Sequence, residues 1–158
     1  MSKRLLLASS SRCHPHHYLE HCEAEMRRLY EGVSHVLFVP YARPAGQTHQ
    51  QYSAIARKRF EAMGYQLSGI HEHPDPRKAV SEAEGVFIGG GNTFVLLRDL
   101  YEYNLIETLR GRIHDGMPYM GTSAGSNVAG LTVGTSNDMP IVQPASLDAL
   151  GVVPFNIN

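Results

Sequence analysis

The residues best placed to do chemistry lie in Gly121-Thr122-Ser123-Ala124-Gly125. The stretch fits G-x-S-x-G, a pattern that sets a serine on a sharp turn between a strand and a helix. Apolar Pro118-Tyr119-Met120 precedes it, and small helix-compatible residues from Ala124 to about Gly130 follow. A serine in so tight a turn needs small residues two positions away on either side. The helix behind it would aim free N–H groups and its positive end at an oxyanion, which is the electrostatics of acyl transfer. The bland alternative is a glycine-rich turn that only packs closely, or that holds a phosphate.

A second strand end, Ile88-Gly89-Gly90-Gly91-Asn92-Thr93, also passes into a helix. Three glycines let the backbone approach a ligand and leave N–H groups free to donate. The stretch lacks both G-x-G-x-x-G and Gly-Lys-Ser/Thr, so it is a poor dinucleotide or phosphate loop. It does suit the second wall of an oxyanion hole, since an elbow needs one N–H after the nucleophile and another from a neighbouring loop, with Gly90 and Asn92 as candidate substrate contacts. A tight turn with an asparagine cap would read the same way. Asp138, in Ser136-Asn137-Asp138-Met139-Pro140-Ile141, offers a carboxylate to orient a histidine, or an Asx turn before proline.

No histidine stands in a context that marks it as the general base. Cys13, His14, His16, His17, His21 and Cys22 crowd together. On a helix from about Pro15, however, His17 and His21 share the polar face with Glu25 and Arg28, while Cys22 joins the buried stripe. Cys13 precedes the helix, so no tetrahedral ligand set converges and no metal is expected. His71 and His73 flank a strand end, and His114 follows a helix end.

The elements that must hold these groups are short apolar runs alternating with amphipathic stretches, the pattern of an α/β fold with a mostly parallel sheet and helices on both faces. The runs are Leu5–Ala8, Val36–Val39, Gln66–Ile70, Val86–Ile88 and Pro118–Met120. Helices are expected from Pro15 to Gly32, after Thr48 to Gly64, after Asp75, after Asn92, and from about Leu105 to Ile113. The stretch from Thr132 to Asn158 carries no helical pattern and reads as functional loops, or as structure awaiting a continuation. The 158 residues, 42% hydrophobic and 18% charged, suit one globular domain, 1–158. A net charge of -1 gives nucleic acid or an anionic membrane no reason to bind. Leu5-Leu6-Leu7-Ala8 breaks at once into Ser9-Ser10-Ser11 and is too short for a signal or a span, and two cysteines suit the reducing cytoplasm.

Together "FIGGGNTFVLL", "PYMGTSAGSNVAG" and "TSNDMPIVQP" closely resemble the peptidase E, or alpha-aspartyl dipeptidase, family of serine peptidases. "LLLASSS" and "VLFVPYA" extend the resemblance over essentially the whole chain. It implies a fold akin to class I glutamine amidotransferases, hydrolysis of Asp-Xaa dipeptides, and no metal or organic cofactor. It implies Ser123 as nucleophile, Gly91 and Ala124 as oxyanion donors, and Asp138 as an acid of the charge relay, a role for which a later family glutamate competes. The general base would be a histidine in a Pro-His directly after "FNIN". On that resemblance the chain is expected to be the N-terminal part of a longer, monomeric or homodimeric protein. Arg43, after the second strand, is a candidate partner for the substrate's side-chain carboxylate, although strand-end arginines often pair structurally. A non-catalytic binding protein or truncated isoform of the same fold, and a cyanophycinase-like peptidase, are the alternatives.

Overall fold

In a computed structural model that describes residues 2–44 and 46–158, five strands form one sheet. They are β1 (Leu5–Ala8), β2 (His35–Val39), β3 (Gln66–Gly69), β4 (Val86–Ile88) and β5 (Tyr119–Thr122). All neighbours run parallel, in the order β1-β5-β4-β2-β3. Among the described residues six α-helices connect or follow them: α1 (Glu23–Leu29), α2 (His49–Ala62), α3 (Pro76–Glu82), α4 (Thr93–Glu102), α5 (Ile106–His114) and α6 (Ala124–Asn127).

The near-continuous apolar strands are explained by cover on both faces, because successive strand side chains point to opposite sides. Leu37, Val39, Val86, Ile88 and Tyr119 pack with Val80, Leu96, Leu97, Leu100, Leu109 and Ile113 of α3, α4 and α5. Val36, Phe38, Phe87 and Met120 pack with Met26, Tyr52 and Phe60 of α1 and α2 on the other face. The expected three layers are present.

The helix caps follow the sequence signals. Thr48 accepts from the Gln51 N–H at 3.1 Å while the Gln51 side chain accepts from the Thr48 N–H at 2.9 Å, closing a capping box on α2. Asp75 accepts from the Lys78 N–H ahead of α3, with Pro76 as its first residue.

The first helix differs from expectation. Pro15 lies in a turn, and regular structure begins only with a 3₁₀ turn at Glu20–Cys22 followed by α1. Leu19 adopts φ 59°, a left-handed conformation through which a right-handed helix does not run. His17 is therefore outside the helix, although Leu19, Cys22, Met26 and Leu29 are all buried as the stripe required. The small-residue helix after Ser123 is likewise shorter than expected, ending at Asn127.

Beyond α6 the chain has one isolated bridge, Thr132 to Asp148, and no helix or named strand among the described residues. It is held against the residues just after α6 by backbone bonds from Leu150 to Val128 at 2.8 Å and from Val152 to Ala129 at 3.0 Å. Val133, Ala149, Leu150 and Val152 are buried.

Candidate active site

Ser123 sits between β5 and α6 at φ 52° and ψ −111°, a backbone conformation strained for any residue with a side chain. Its N–H donates to the Ala8 carbonyl at 3.0 Å. The Ser126 hydroxyl also reaches Ala8 O, at 2.7 Å, and Gly121 O, at 2.9 Å. The end of β1 thus clamps the turn from one side. The glycines are required sterically: a Cβ on Gly125 would collide with the Ile88 carbonyl, and one on Gly121 would lie 2.7 Å from the Ser126 nitrogen.

The triple-glycine loop forms the opposite wall. A Cβ on Gly90 would come within 2.9 Å of Ser123 Cβ, which places this loop directly against the serine. Gly91 has φ 141° and lies so close to Ala42 that a Cβ would fall 2.6 Å from its carbonyl carbon. Tyr52, from α2, donates its hydroxyl to Gly90 O at 3.1 Å and fixes the loop from behind. Burial pushes the Tyr52 hydroxyl up to about 12, so it stays a donor at neutral pH. Among the described residues neither the Gly91 nor the Ala124 N–H is taken up by a hydrogen bond. The Ser123 and Asn92 amides, by contrast, are spent on Ala8 and Ala42.

Ser123 lines a cleft of about 520 Å³ with Ser9, Asn127, Ser136, Asn137, Asp138 and Asn158 among its walls. Asp138 is anchored: its Oδ2 accepts from the Thr93 N–H at 2.8 Å and the Thr93 hydroxyl at 2.5 Å. Asn127 in turn donates to Thr93 Oγ1 at 3.0 Å. The Asn92 side chain is committed to structure. Its Oδ1 caps α4 through the Phe94 and Val95 N–H groups, and its Nδ2 ties down Met139 O at 2.8 Å. Ser123 and Asp138 thus line one cleft and Gly90 lies against Ser123, whereas Gly90, Gly91, Asn92 and Ala124 are not among the residues lining it; Asn92 is the bracket between α4 and the Asp138 loop.

Arg43 is not among the residues lining the cleft. It is exposed, at φ 48°, and its Nε contacts His49 Nε2 at 2.6 Å. No histidine lines the cleft among the described residues. Burial, then Arg43 and His71, hold His49 below its ordinary value. Cys13, His14, His16 and His17 are exposed and Cys22 is buried, and no three potential metal ligands converge among the described residues. Sequence reasoning missed Tyr52, Thr93, Ser126 and Asn127. Their roles depend on partners distant in sequence, and only the placement of Ser126 and Asn127 just after the turn hinted at them.

A parallel sheet carrying a serine on a strained strand-to-helix turn is the local geometry that G-x-S-x-G describes. Residues 5–158 match peptidase family S51, and the chain belongs to that family. It is 47% identical over 160 residues to the probable alpha-aspartyl dipeptidase of Drosophila melanogaster, covering 99% of this chain and 65% of that protein. Identity to peptidase E of Shewanella amazonensis is 45%, covering 100% of this chain and 67% of the other. The chain therefore spans about two thirds of the length of the curated relatives it matches. The fold is shared with a proposed peptidase E protein from Listeria monocytogenes EGD-e, at TM-score 0.76 and 22% identity over 98% of this chain and 77% of that one. A peptidase from an acI-B1 Actinobacterium superposes at TM-score 0.71 and 18% identity, over 94% of this chain and 64% of that one.

Proposed function

We propose that this chain carries the nucleophile and oxyanion hole of a serine-type dipeptidase that hydrolyses Asp-Xaa dipeptides. The observation that carries the reading is the elbow itself: Ser123 in a strained strand-to-helix turn with the triple-glycine loop against it. The relatives named for alpha-aspartyl dipeptidase and peptidase E supply the substrate class.

In the mechanism, Ser123 Oγ attacks the peptide carbonyl as a histidine base takes its proton. The C–O bond forms while the carbonyl electrons move onto oxygen, where the Gly91 and Ala124 N–H groups hold the charge. Each such donor contributes about 3 kcal/mol in comparable sites. The base then protonates the leaving amine as the C–N bond breaks, and water attacks the acyl-enzyme to release aspartate. The base is the histidine that the family resemblance puts just after the segment matching Phe155-Asn156-Ile157-Asn158. Asn158 lines the Ser123 cleft, which supports that placement. Asp138, or the glutamate that the resemblance puts later in the family chain and that competes for the role, orients it. The reading extends to a cytoplasmic enzyme, monomeric or homodimeric, in keeping with two free cysteines and with no helix among the described residues long and apolar enough to cross a membrane.

The test is Asp-Leu and Leu-Leu hydrolysis by the intact protein and its Ser123→Ala variant. Turnover of Asp-Leu alone, lost in the variant, is expected; equal turnover by both proteins removes Ser123 from the mechanism. A second reading, a binding protein without catalysis, is favoured by the lack of a histidine in the described cleft. Labelling of Ser123 by a fluorophosphonate excludes it, since a serine without a base reacts slowly or not at all.

A further inference from the structure

The turn that follows β2 braces the triple-glycine wall from behind. The Asn92 N–H donates to Ala42 O at 2.9 Å, and Gly91 lies so close to the same carbonyl that a Cβ would collide with it. The turn closes through the Arg43 N–H to Pro40 O at 3.2 Å, with Arg43 at φ 48°, a left-handed conformation that persists where contacts hold it. Its side chain is held from α2: Arg43 Nε donates to His49 Nε2 at 2.6 Å. A ring nitrogen accepts only while it carries no proton, so this contact requires a neutral His49 with its proton on Nδ1.

The surroundings of His49 disfavour a second proton. Partial burial, Arg43 and His71 oppose a positive ring, the His71 centroid lying 5.8 Å away, and Asp99 of α4 is the one acid that favours it. Tyr41, its ring 5.7 Å away, is kept protonated by burial and adds no charge. His49 is also the first residue of α2, where the positive end of the helix works against a cation. A proton on Nε2 removes the contact and sets two cations against each other.

We propose that neutral His49 is a positioning residue for the glycine wall, and that its protonation releases the Arg43 turn and slows the chemistry at Ser123. The inference rests on the peptidase reading of Ser123 and goes beyond it, since neither the elbow nor the triple glycine calls for a histidine at the start of α2. The link is the turn itself, which carries Ala42 against Gly91 and Asn92 and is fixed to His49 one residue further on. The turn is held above about pH 6.5, the ordinary value of the group, and comes free as pH falls through the lower value of His49 in the folded chain.

The experiment follows fluorophosphonate labelling of Ser123 from about pH 8 to about pH 5 in the intact protein and in its His49→Gln and Arg43→Met variants. Glutamine keeps an acceptor for Arg43 at every pH, and the probe has no carboxylate for Arg43 to bind. Parent and His49→Gln should label alike at about pH 8, and the ratio of variant to parent rates should climb roughly 2- to 10-fold by about pH 5, the range of one hydrogen bond. The catalytic base titrates in both proteins and cancels in that ratio. Arg43→Met should label roughly 2- to 10-fold more slowly than the parent at about pH 8 and approach it at about pH 5. A level ratio overturns the proposal, as does an Arg43→Met protein that labels at the parent rate at about pH 8, so either variant decides if the other does not fold. If Ser123 of the parent takes no label at any pH, the peptidase reading falls, and amide exchange still decides the clamp. Protection of the Asn92 amide should drop roughly 2- to 10-fold with acid in the parent and hold in His49→Gln; equal behaviour of the two overturns it.

Discussion

Replacing Gly125 by alanine adds one methyl group, and the structure predicts an effect out of proportion to its size. The new Cβ would overlap the Ile88 carbonyl and lie 2.8 Å from its carbon and 3.2 Å from Ile88 Cβ. Overpacking in a well-filled interior costs about 1–3 kcal/mol, and the upper end applies here because the obstacle is backbone held on both sides by β2 and β5. At roughly 2–4 °C per kcal/mol for a chain of this size, the melting temperature should fall by about 6–12 °C. Relief would have to come from moving the end of β4, which leads directly into Gly89, Gly90 and Gly91, so fluorophosphonate labelling of Ser123 in the intact protein should collapse as well. Gly111→Ala is the matched control. It sits in α5 with nothing within 4 Å of the added methyl, so helix propensity should raise stability by about 0.5–1 kcal/mol. Thermal melts of the two variants beside the parent check both signs. A Gly125→Ala protein that melts with the parent and labels at the parent rate would refute the elbow geometry.

Tyr52→Phe leaves Gly90 O without its donor and should cost about 1 kcal/mol in urea denaturation, with slower labelling of Ser123 as the glycine loop loosens. Asn92→Ala removes the α4 cap and the tether to Met139 together, about 2 kcal/mol, visible as a fall of about 4–8 °C in melting temperature. His49 and His71 are both held below their ordinary value of 6.5, chiefly by burial, so the unfolded chain takes up these protons first as pH falls. Stability should therefore be level above about pH 7 and decline from pH 6.5 downward. Urea midpoints across that range should show a shallower decline in the His49→Gln, His71→Gln double variant, and an unchanged slope would exclude these two groups.

The strands were legible because their apolar runs are short, dense and separated by helical patterns; Val86-Phe87-Ile88 could be placed to the residue. Caps at Thr48, Asp75 and Asn92 were equally clear, since capping is a local affair of side chain and nearby amides. The helix expected from Pro15 failed because Leu19 turns the backbone left-handed, and no apolar spacing reports a φ angle. At the site, Gly-x-Ser-x-Gly and the triple glycine announced themselves through residue size. The supports did not. Tyr52 reads as one more core position of α2, yet its hydroxyl reaches across to Gly90, and Thr93 reads as an ordinary first helical residue although it grips Asp138. Arg43, a suggestive position after β2, meets His49 at the surface, a contact that its place in the sequence did not announce.

The contact from Ser126 to Ala8 joins residues 118 positions apart, at opposite ends of the chain's regular structure. A ribosome must therefore deliver nearly everything between them before the first strand can close on the last. Until then the serine is an ordinary hydroxyl on a loose segment, with no fixed amides around it and none of the strain that raises it above the sheet. On the function proposed above, reactivity therefore arrives only with the closure of these distant segments, and the nascent chain is protected from its own nucleophile by the same long-range contacts that make such folds slow to form.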